Sequence, residues 1–465
     1  MKKSGLLILL SIFIVLSCRK ENFITSSDAH LRISADTLKY DTVFVTAGSI
    51  YQKFSIVNEN NQKLKLTSVK LMGGSSSAYK INVDGVSGYS FNNLELEAND
   101  SIHVFVQVNV DPTAANLPFI IRDSIEIGYN GNKKNVQLEA WGQNAHFLRN
   151  KIVSTNEIWN NDLPYIILGS LTINQNQILT INKGCRIYTH ADAPILVNGS
   201  LQINGLKDTA DRVYFQGDRM DDPYRDLPGS WPGIIFNTTS KDNVLNYTVI
   251  KNAYQAIALQ DPSSNSNPKL TLNECIIDNA FDAGILSINS SIKAVNSLIS
   301  NCSKNIFLVK GGDYEFTHCT AVTYANRYIE HKAPVLLMSN FISVNNTPIT
   351  QNLNAVFRNC IFWGENGLVD NEVEVLKSGN GPFAVNFENT LWKVQTTPAN
   401  ITSSQIINNQ SPQFDSINTF KNYYNFRLKA GSPALEKGVN TTTIIDLDGK
   451  PQPVGLPDLG CFEKQ

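Results

Sequence analysis

Residues 102 to 110 alternate without a break: Ile102, Val104, Val106, Val108 and Val110 are separated by His103, Phe105, Gln107 and Asn109. A period of two places successive side chains on opposite faces of an extended chain, so this segment predicts a strand with one face in a core. The same alternation recurs in Phe54-Ser55-Ile56, in Ser124-Ile125-Glu126-Ile127 and in Val136-Gln137-Leu138-Glu139-Ala140. Turn-forming runs separate these segments, namely Glu59-Asn60-Asn61, Ala98-Asn99-Asp100 and Asn130-Gly131-Asn132. Residues 30–145 therefore predict an antiparallel sandwich of about seven strands.

After Trp141-Gly142 the rhythm changes. Gly169-Ser170-Leu171-Thr172-Ile173-Asn174 and Gly199-Ser200-Leu201-Gln202-Ile203-Asn204 are near copies. Further along, seven segments align on Thr248, Cys275, Ser297, Cys319, Asn340, Cys360 and Thr390, at intervals of about 20–30 residues. Three positions earlier stand Leu245, Leu272, Ala294, Phe316, Leu337, Phe357 and Phe387, all apolar. Pairs such as Val249-Ile250, Ile276-Ile277 and Ile361-Phe362 follow the anchors, and Asn252, Asn279 and Asn301 lie four residues past the first three. A short unit of apolar strands and Asn-rich corners, without the LxxLxLxxN consensus of leucine-rich repeats, predicts a parallel β-helix over 146–410. Stacking puts like residues above one another about 4.8 Å apart. Asn suits the corners because its side chain tolerates left-handed backbone.

Composition supports an all-β chain. Of the 465 residues, 42% are hydrophobic and only 17% charged, and Asn, Ser, Thr and Gln carry the rest of the polar surface. The 39 Lys+Arg and 41 Asp+Glu leave a net charge of -2, which gives no electrostatic case for nucleic acid as a partner.

The amino terminus has a different pattern. Lys2 and Lys3 precede an apolar run from Leu6 to Leu16 that is too short to span a bilayer comfortably and has the shape of a secretion signal over 1–17. Its end, Val15-Leu16-Ser17-Cys18, resembles the lipobox of bacterial lipoproteins, in which the cysteine is acylated and becomes the first residue. The resemblance implies a lipid anchor on Cys18, a tether over 18–29 and an outer-membrane lipoprotein facing the periplasm or the cell surface.

The order of strands ending in Ala140-Trp141-Gly142 resembles the immunoglobulin-like modules of bacterial surface proteins. The repeat segment, opened by Leu179-Thr180-Ile181-Asn182-Lys183-Gly184-Cys185-Arg186-Ile187, resembles right-handed parallel β-helix proteins of the pectate-lyase-like kind, which implies the right hand. The expected fold class is all-β, a right-handed parallel β-helix (solenoid) preceded by an Ig-like β-sandwich. The stretch 411–465, with Gly431-Ser432-Pro433-Ala434 and Asp446-Leu447-Asp448-Gly449, looks like the closing segment of such proteins and is expected to cap the last open edge. On the seven-anchor alignment Cys275, Cys319 and Cys360 fall on alternate coils, about 9.6 Å apart. That is beyond the reach of a disulfide, and they read as buried free thiols.

One polar insertion interrupts the repeats between Val213-Tyr214-Phe215 and Gly233-Ile234-Ile235-Phe236. It holds Asp218, Arg219, Asp221, Asp222, Tyr224, Arg225, Asp226 and Trp231. Four carboxylates are hard oxygen ligands that could take calcium, the arginines could pair with uronate carboxylates, and the rings could stack on sugars. An ion-paired loop packed through Trp231 and Tyr224 is the structural alternative. Asp446, Asp448 and Gly449 form part of a calcium-loop pattern but lack its closing Glu, and read as a turn. His318, next to an anchor, is expected to face solvent. The NxD, GHG and RIK equipment of polygalacturonase-like hydrolases is absent, although Asp221-Asp222 supplies a DD pair. The expected role is a membrane-anchored, non-catalytic lipoprotein whose β-helix faces bind glycan or a surface protein. A polysaccharide lyase or glycoside hydrolase acting on acidic polysaccharide is the alternative.

Overall fold

The computed structural model describes residues 23–44, 51–109, 119–220 and 224–465. The expected secretion signal over 1–17, Cys18, Val110 and the Asp221-Asp222 pair lie outside them. The chain divides into two units, 1–144 and 145–465. No helix among the described residues is long and apolar enough to cross a membrane.

The first unit is a two-sheet sandwich. One sheet has five strands, including Gln52–Asn58, Tyr79–Val83 and Ser101–Val108, and the other has six, including Lys63–Leu71, Phe119–Tyr129 and Asn132–Gln143. The alternation read from the sequence is the burial pattern: Phe54, Ile56, Val104, Val106 and Val108 face Leu64, Leu66, Ile125, Ile127, Val136 and Leu138 across the core. Two tyrosines bridge the sheets, Tyr40 Oη donating to the Val106 carbonyl at 2.5 Å and Tyr79 Oη to that of Ile121 at 3.0 Å. The expected count of seven strands is too low, because short segments such as Leu31–Ile33 and Val86–Gly88 also pair. The described part of the expected tether is not free either: Phe23–Ile24 pairs in parallel with Lys63 and Leu64, where its two apolar side chains are half-buried.

The second unit is a parallel β-helix whose rungs each contribute to three stacked sheets. The first sheet runs through Arg186–Thr189, Val213–Gly217, Thr248–Lys251, Ile276–Asp278, Leu298–Ser300, Thr320–Tyr324 and Ile361–Glu365, every neighbouring pair parallel. Its inward residues form a column, Ile187, Phe215, Ile250, Ile277, Ile299, Ala321, Phe362 and Trp392, all buried. The third sheet supplies Leu245, Leu272, Ala294, Phe316, Phe357 and Phe387, and the last three rings stack with centroids 5.3 and 4.9 Å apart. Burying each such side chain contributes about 1.5–3 kcal/mol, and only stacking makes the burial available.

The small anchors Thr248, Cys275, Ser297, Cys319, Cys360 and Thr390 form a buried column at the corner that leads into the first sheet. The residue before each one is left-handed: Tyr247, Glu274, Asn296, His318, Asn359 and Asn389 have φ between 44 and 55°. Asn252, Asn279 and Asn301 take the same conformation at the next corner, where Asn279 Nδ2 donates to Asn252 Oδ1 at 2.8 Å.

Three expectations require correction. Asn340 is not an anchor. Leu336–Ser339 belongs to the second sheet, which stacks Ile234, Ile257, Ile285, Ile306, Leu336 and Val373, and Phe341–Val344 with Thr347–Thr350 forms an antiparallel hairpin inserted within one long rung. Cys319 and Cys360 are therefore on consecutive rungs, not alternate ones. The carboxy-terminal segment does not close the end of the stack as a cap. It lies along the outer face of the first sheet, where Phe414, Phe426, Leu428, Leu447, Leu459 and Phe462 cover Leu298, Val322, Ile361, Trp363 and Leu391. That outer face is apolar, unlike an ordinary solvated sheet surface, and covering it is the larger gain. His318 is consequently buried beneath this segment and does not face solvent.

Candidate functional site

Between the outer face of the first sheet and the carboxy-terminal segment lies a cleft of 420 Å³. Its floor is made by Tyr214, by Val249 and Lys251, by Ile276 and Asp278, and by Leu298 and Ser300, which belong to four successive rungs. Three rung spacings give a length of about 14 Å. Its wall is the hairpin Phe414–Asn418 with Tyr423–Leu428, which contributes Tyr423, Tyr424, Phe426 and Arg427, with Phe462 beyond it.

The side chains of the cleft are well held. Arg427 forms a two-point ion pair with Asp448, Nε to Oδ2 at 2.8 Å and Nη2 to Oδ1 at 2.6 Å, and lies 4.6 Å over the Phe462 ring. Tyr424 and Phe426 stack at 5.9 Å, and Asn326 Nδ2 donates to Tyr424 Oη at 3.1 Å. Burial raises the Tyr424 phenol above its ordinary range, so at neutral pH it carries its proton. On the floor, Ser300 Oγ donates to Asp278 Oδ1 at 2.7 Å and Lys251 lies 3.7 Å from the same carboxylate. Tyr423 is 57% exposed and offers its ring to solvent. The site thus combines aromatic faces with donors and acceptors at rung spacing.

The polar insertion borders this floor. Asn252 and Asn279, the residues that directly follow Lys251 and Asp278, donate to the Arg225 and Asp226 carbonyls at 2.6 and 2.9 Å. Gly229, with φ 76°, brings the loop down onto Phe281, whose Cβ would lie 3.2 Å from any Cβ at 229. Phe281 in turn stacks on Tyr254 at 5.7 Å, and both rings are about half exposed.

Within the loop the expected residues separate. Asp218 Oδ2 is 2.7 Å from Nδ1 of His190 on the preceding rung, a histidine that in the sequence reads as one of several scattered ones with no partner. Burial pushes the Asp218 carboxyl up, against the opposing pull of His190. Arg219 lies 3.1 Å over the Tyr224 ring, while Arg225 and Asp226 form an exposed pair at 3.8 Å. Trp231 is not a stacking platform: it is fully buried, and its Nε1 donates to the Lys251 carbonyl at 2.8 Å, because it sits in the position of an inward rung residue. Asp221 and Asp222 lie outside the described residues. Among those described, no group of three or more His, Cys, Asp and Glu side chains is placed to hold a metal ion. The Asp446 turn is closed by its own backbone, with Oδ1 accepting from the Asp448 and Lys450 amides at 2.9 and 2.8 Å and Oδ2 from Glu463 at 3.1 Å.

The cleft was hidden from sequence reasoning because its floor, between Tyr214 and Ser300, and its wall, from Tyr423 onward, are far apart in the chain. The one local signal was the aromatic run Tyr423-Tyr424-Asn425-Phe426 in the closing segment.

No protein-family model matches the chain, and no curated protein does. Among solved structures it is similar to a family 123 glycoside hydrolase from Clostridium perfringens, at 11% identity and a TM-score of 0.19 over 28% of this chain and 30% of that one. It is similar to PapD-like domain 7 of human CEP192, at 11% identity and a TM-score of 0.17 over 27% of this chain and 91% of that one. It is also similar to pectate lyase Pel9A, at 14% identity and a TM-score of 0.25 over 69% of this chain and 97% of that one.

Proposed function

We propose that the chain is a membrane-anchored glycan-binding protein, held by a lipid on Cys18 and taking its ligand in the cleft between the first sheet and the carboxy-terminal hairpin. The sandwich serves as a spacer that resembles an immunoglobulin-like module. The observation that carries this reading is the cleft itself, where Tyr214, Lys251, Asp278 and Ser300 follow one another on four successive rungs and exposed Tyr423 faces them from the hairpin wall. A hydroxyl-rich oligomer of regular repeat suits such a lining, since ring faces take the apolar face of a sugar and fixed side chains take its hydroxyls.

Binding without turnover is favoured because the carboxylates at the cleft are already committed. Asp448 is engaged at both oxygens by Arg427, and Asp278 by Ser300, Asn301 and Lys251. The second reading, a polysaccharide lyase or glycoside hydrolase, is supported by the His190–Asp218 pair, since a carboxyl with a raised pKa against an imidazole is a proton-transfer arrangement.

Screening the purified protein against immobilised uronic-acid and neutral glycans, with and without calcium, separates the two. The expected result is retention of a glycan without product, with Tyr423→Ala lowering affinity about tenfold, since a stacked aromatic contributes on the order of 1–1.5 kcal/mol. Turnover that is lost in Asp218→Asn or Asp221→Ala would overturn it. Cys18→Ser is expected to move the protein from the membrane fraction to the soluble one.

A further inference from the structure

Thr320 pairs with Ile361 in the first sheet, and the Ile361 amide donates to the Cys319 carbonyl at 3.0 Å. Cys319 and Cys360 therefore hold the same position on consecutive rungs. One rung is about 4.8 Å. That falls within the Cα separation of about 4.4–6.8 Å at which disulfides form. Both side chains are buried on the inner side of the corner and hold matching local geometry, each thiol donating to the carbonyl two residues back, at 3.4 Å for Cys319 and 3.3 Å for Cys360.

None of the other described cysteines has a cysteine at its own position on an adjacent rung: Cys302, at the next corner, takes the Ala280 amide at 3.5 Å. Cys275 lies between Thr248 and Ser297, and Cys185 is opposite Val213. Cys461 packs on the outer side of the same sheet with Phe462 and Leu459, near enough for Cys319 to raise its thiol, but it belongs to the carboxy-terminal segment and not to a rung, and is the competing partner to be excluded.

We propose that Cys319 and Cys360 are a disulfide-forming pair, joined across adjacent rungs by thiol–disulfide exchange with a disulfide-bearing oxidant while the chain folds. In the exchange, the thiolate of one cysteine attacks the oxidant disulfide and expels one of its sulfurs as a thiolate. The second cysteine, losing its proton, attacks the mixed disulfide and expels the other. One protein disulfide is formed, the oxidant is reduced to two thiols, and protons are conserved.

The step belongs to the folding chain for a physical reason. Burial raises the Cys319 thiol well above its ordinary range in the finished core, and the neighbouring Cys360 raises it further, whereas an exposed thiol titrates near pH 8.5. The bond would close the one rung that carries the 341–350 hairpin, tying together the two ends of the longest excursion in that column.

The test requires no assumption about location or ligand. The full chain is unfolded in reductant, refolded in a mixture of oxidised and reduced glutathione, blocked with iodoacetamide under denaturing conditions and digested without reductant. The expected product is a linked peptide pair joining Cys319 to Cys360, lighter by two hydrogen atoms than the separate peptides and lost on reduction, with Cys185, Cys275, Cys302 and Cys461 fully alkylated. Complete alkylation of Cys319 and Cys360, or linkage of either to another cysteine in comparable yield, would overturn the proposal. In Cys360→Ser, Cys319 is expected to become fully alkylated, whereas Cys275→Ser leaves the link intact.

Discussion

His318 of the stack and Gln452 of the carboxy-terminal segment meet in the buried seam between the two, with 2.7 Å between the imidazole Nδ1 and the Gln452 side-chain amide. The other ring nitrogen, Nε2, accepts from Asn359 Nδ2 at 2.9 Å, and Asn359 also holds both backbone groups of Val439. The imidazole is thus neutral by arrangement, and burial pushes its pKa down to about 4. An unfolded histidine titrates near 6.5. Because the folded value lies below the unfolded one, the unfolded chain binds more protons between those limits. The stability from His318 is complete above pH 6.5 and is lost as pH falls toward 4, by up to about 3 kcal/mol. Urea midpoints taken from pH 7 to pH 4.5 are expected to fall more steeply for the native chain than for His318→Gln. Parallel slopes in the two proteins would refute the assignment.

Trp231 is expected to matter for folding and not for recognition. Trp231→Ala should cost about 3–5 kcal/mol, the usual range for emptying a large buried site. Trp231→Phe keeps most of the volume but leaves the Lys251 carbonyl without its donor, at about 1–3 kcal/mol. Chemical denaturation gives both values. Glycan retention by the folded Phe variant should match the native chain, and a selective loss of binding would mean that the ring touches ligand.

The inserted hairpin is expected to be dispensable. Its base is already closed, the Gln351 amide donating to the Asn340 carbonyl at 2.8 Å, and residues 343–350 are exposed. Removing 341–350 loses the Ser339 hydroxyl bond to Phe341 and little else, so the urea midpoint should change by the equivalent of about 1 kcal/mol or less. A loss of several kcal/mol would show that the hairpin holds the rung together.

The stacked architecture could be read from the chain because its signal is repeated: Leu272, Cys275 and Ile277 state the same local rule as Phe357, Cys360 and Phe362, and each rung meets only its neighbours. The rule failed at Asn340, where Leu337 and Phe341-Ile342 copy the apolar spacing of a rung although the second pair belongs to a hairpin. Local pattern carries no information about which sheet a strand joins. The one-rung error then propagated to the spacing of Cys319 and Cys360. In the loop, Asp218 was identified without its partner, since His190 lies on another rung. For Trp231 the sequence offered both a ligand-binding ring and a residue packed on the coils, and only the second holds, since the polar run before it hides where the chain returns to the core. The cleft needed Tyr214 and Phe462 together, and nothing in either neighbourhood announces the other.

The carboxy-terminal segment descends along one corner of the stack. Asn389 donates to the Lys437 carbonyl, Asn359 to Val439, Asn296 to Ile445 and Arg212 to Leu447. A solenoid by itself would tolerate the duplication or loss of a whole repeat, since the copies are interchangeable. This one carries a ruler: a strap that grips Asn389 through Lys437 and Arg212 through Leu447 spans a set stretch of the stack and can match only one tally of the rungs between them. Its gene is therefore free to vary in the outward loops, but the number of repeats beneath the strap is fixed.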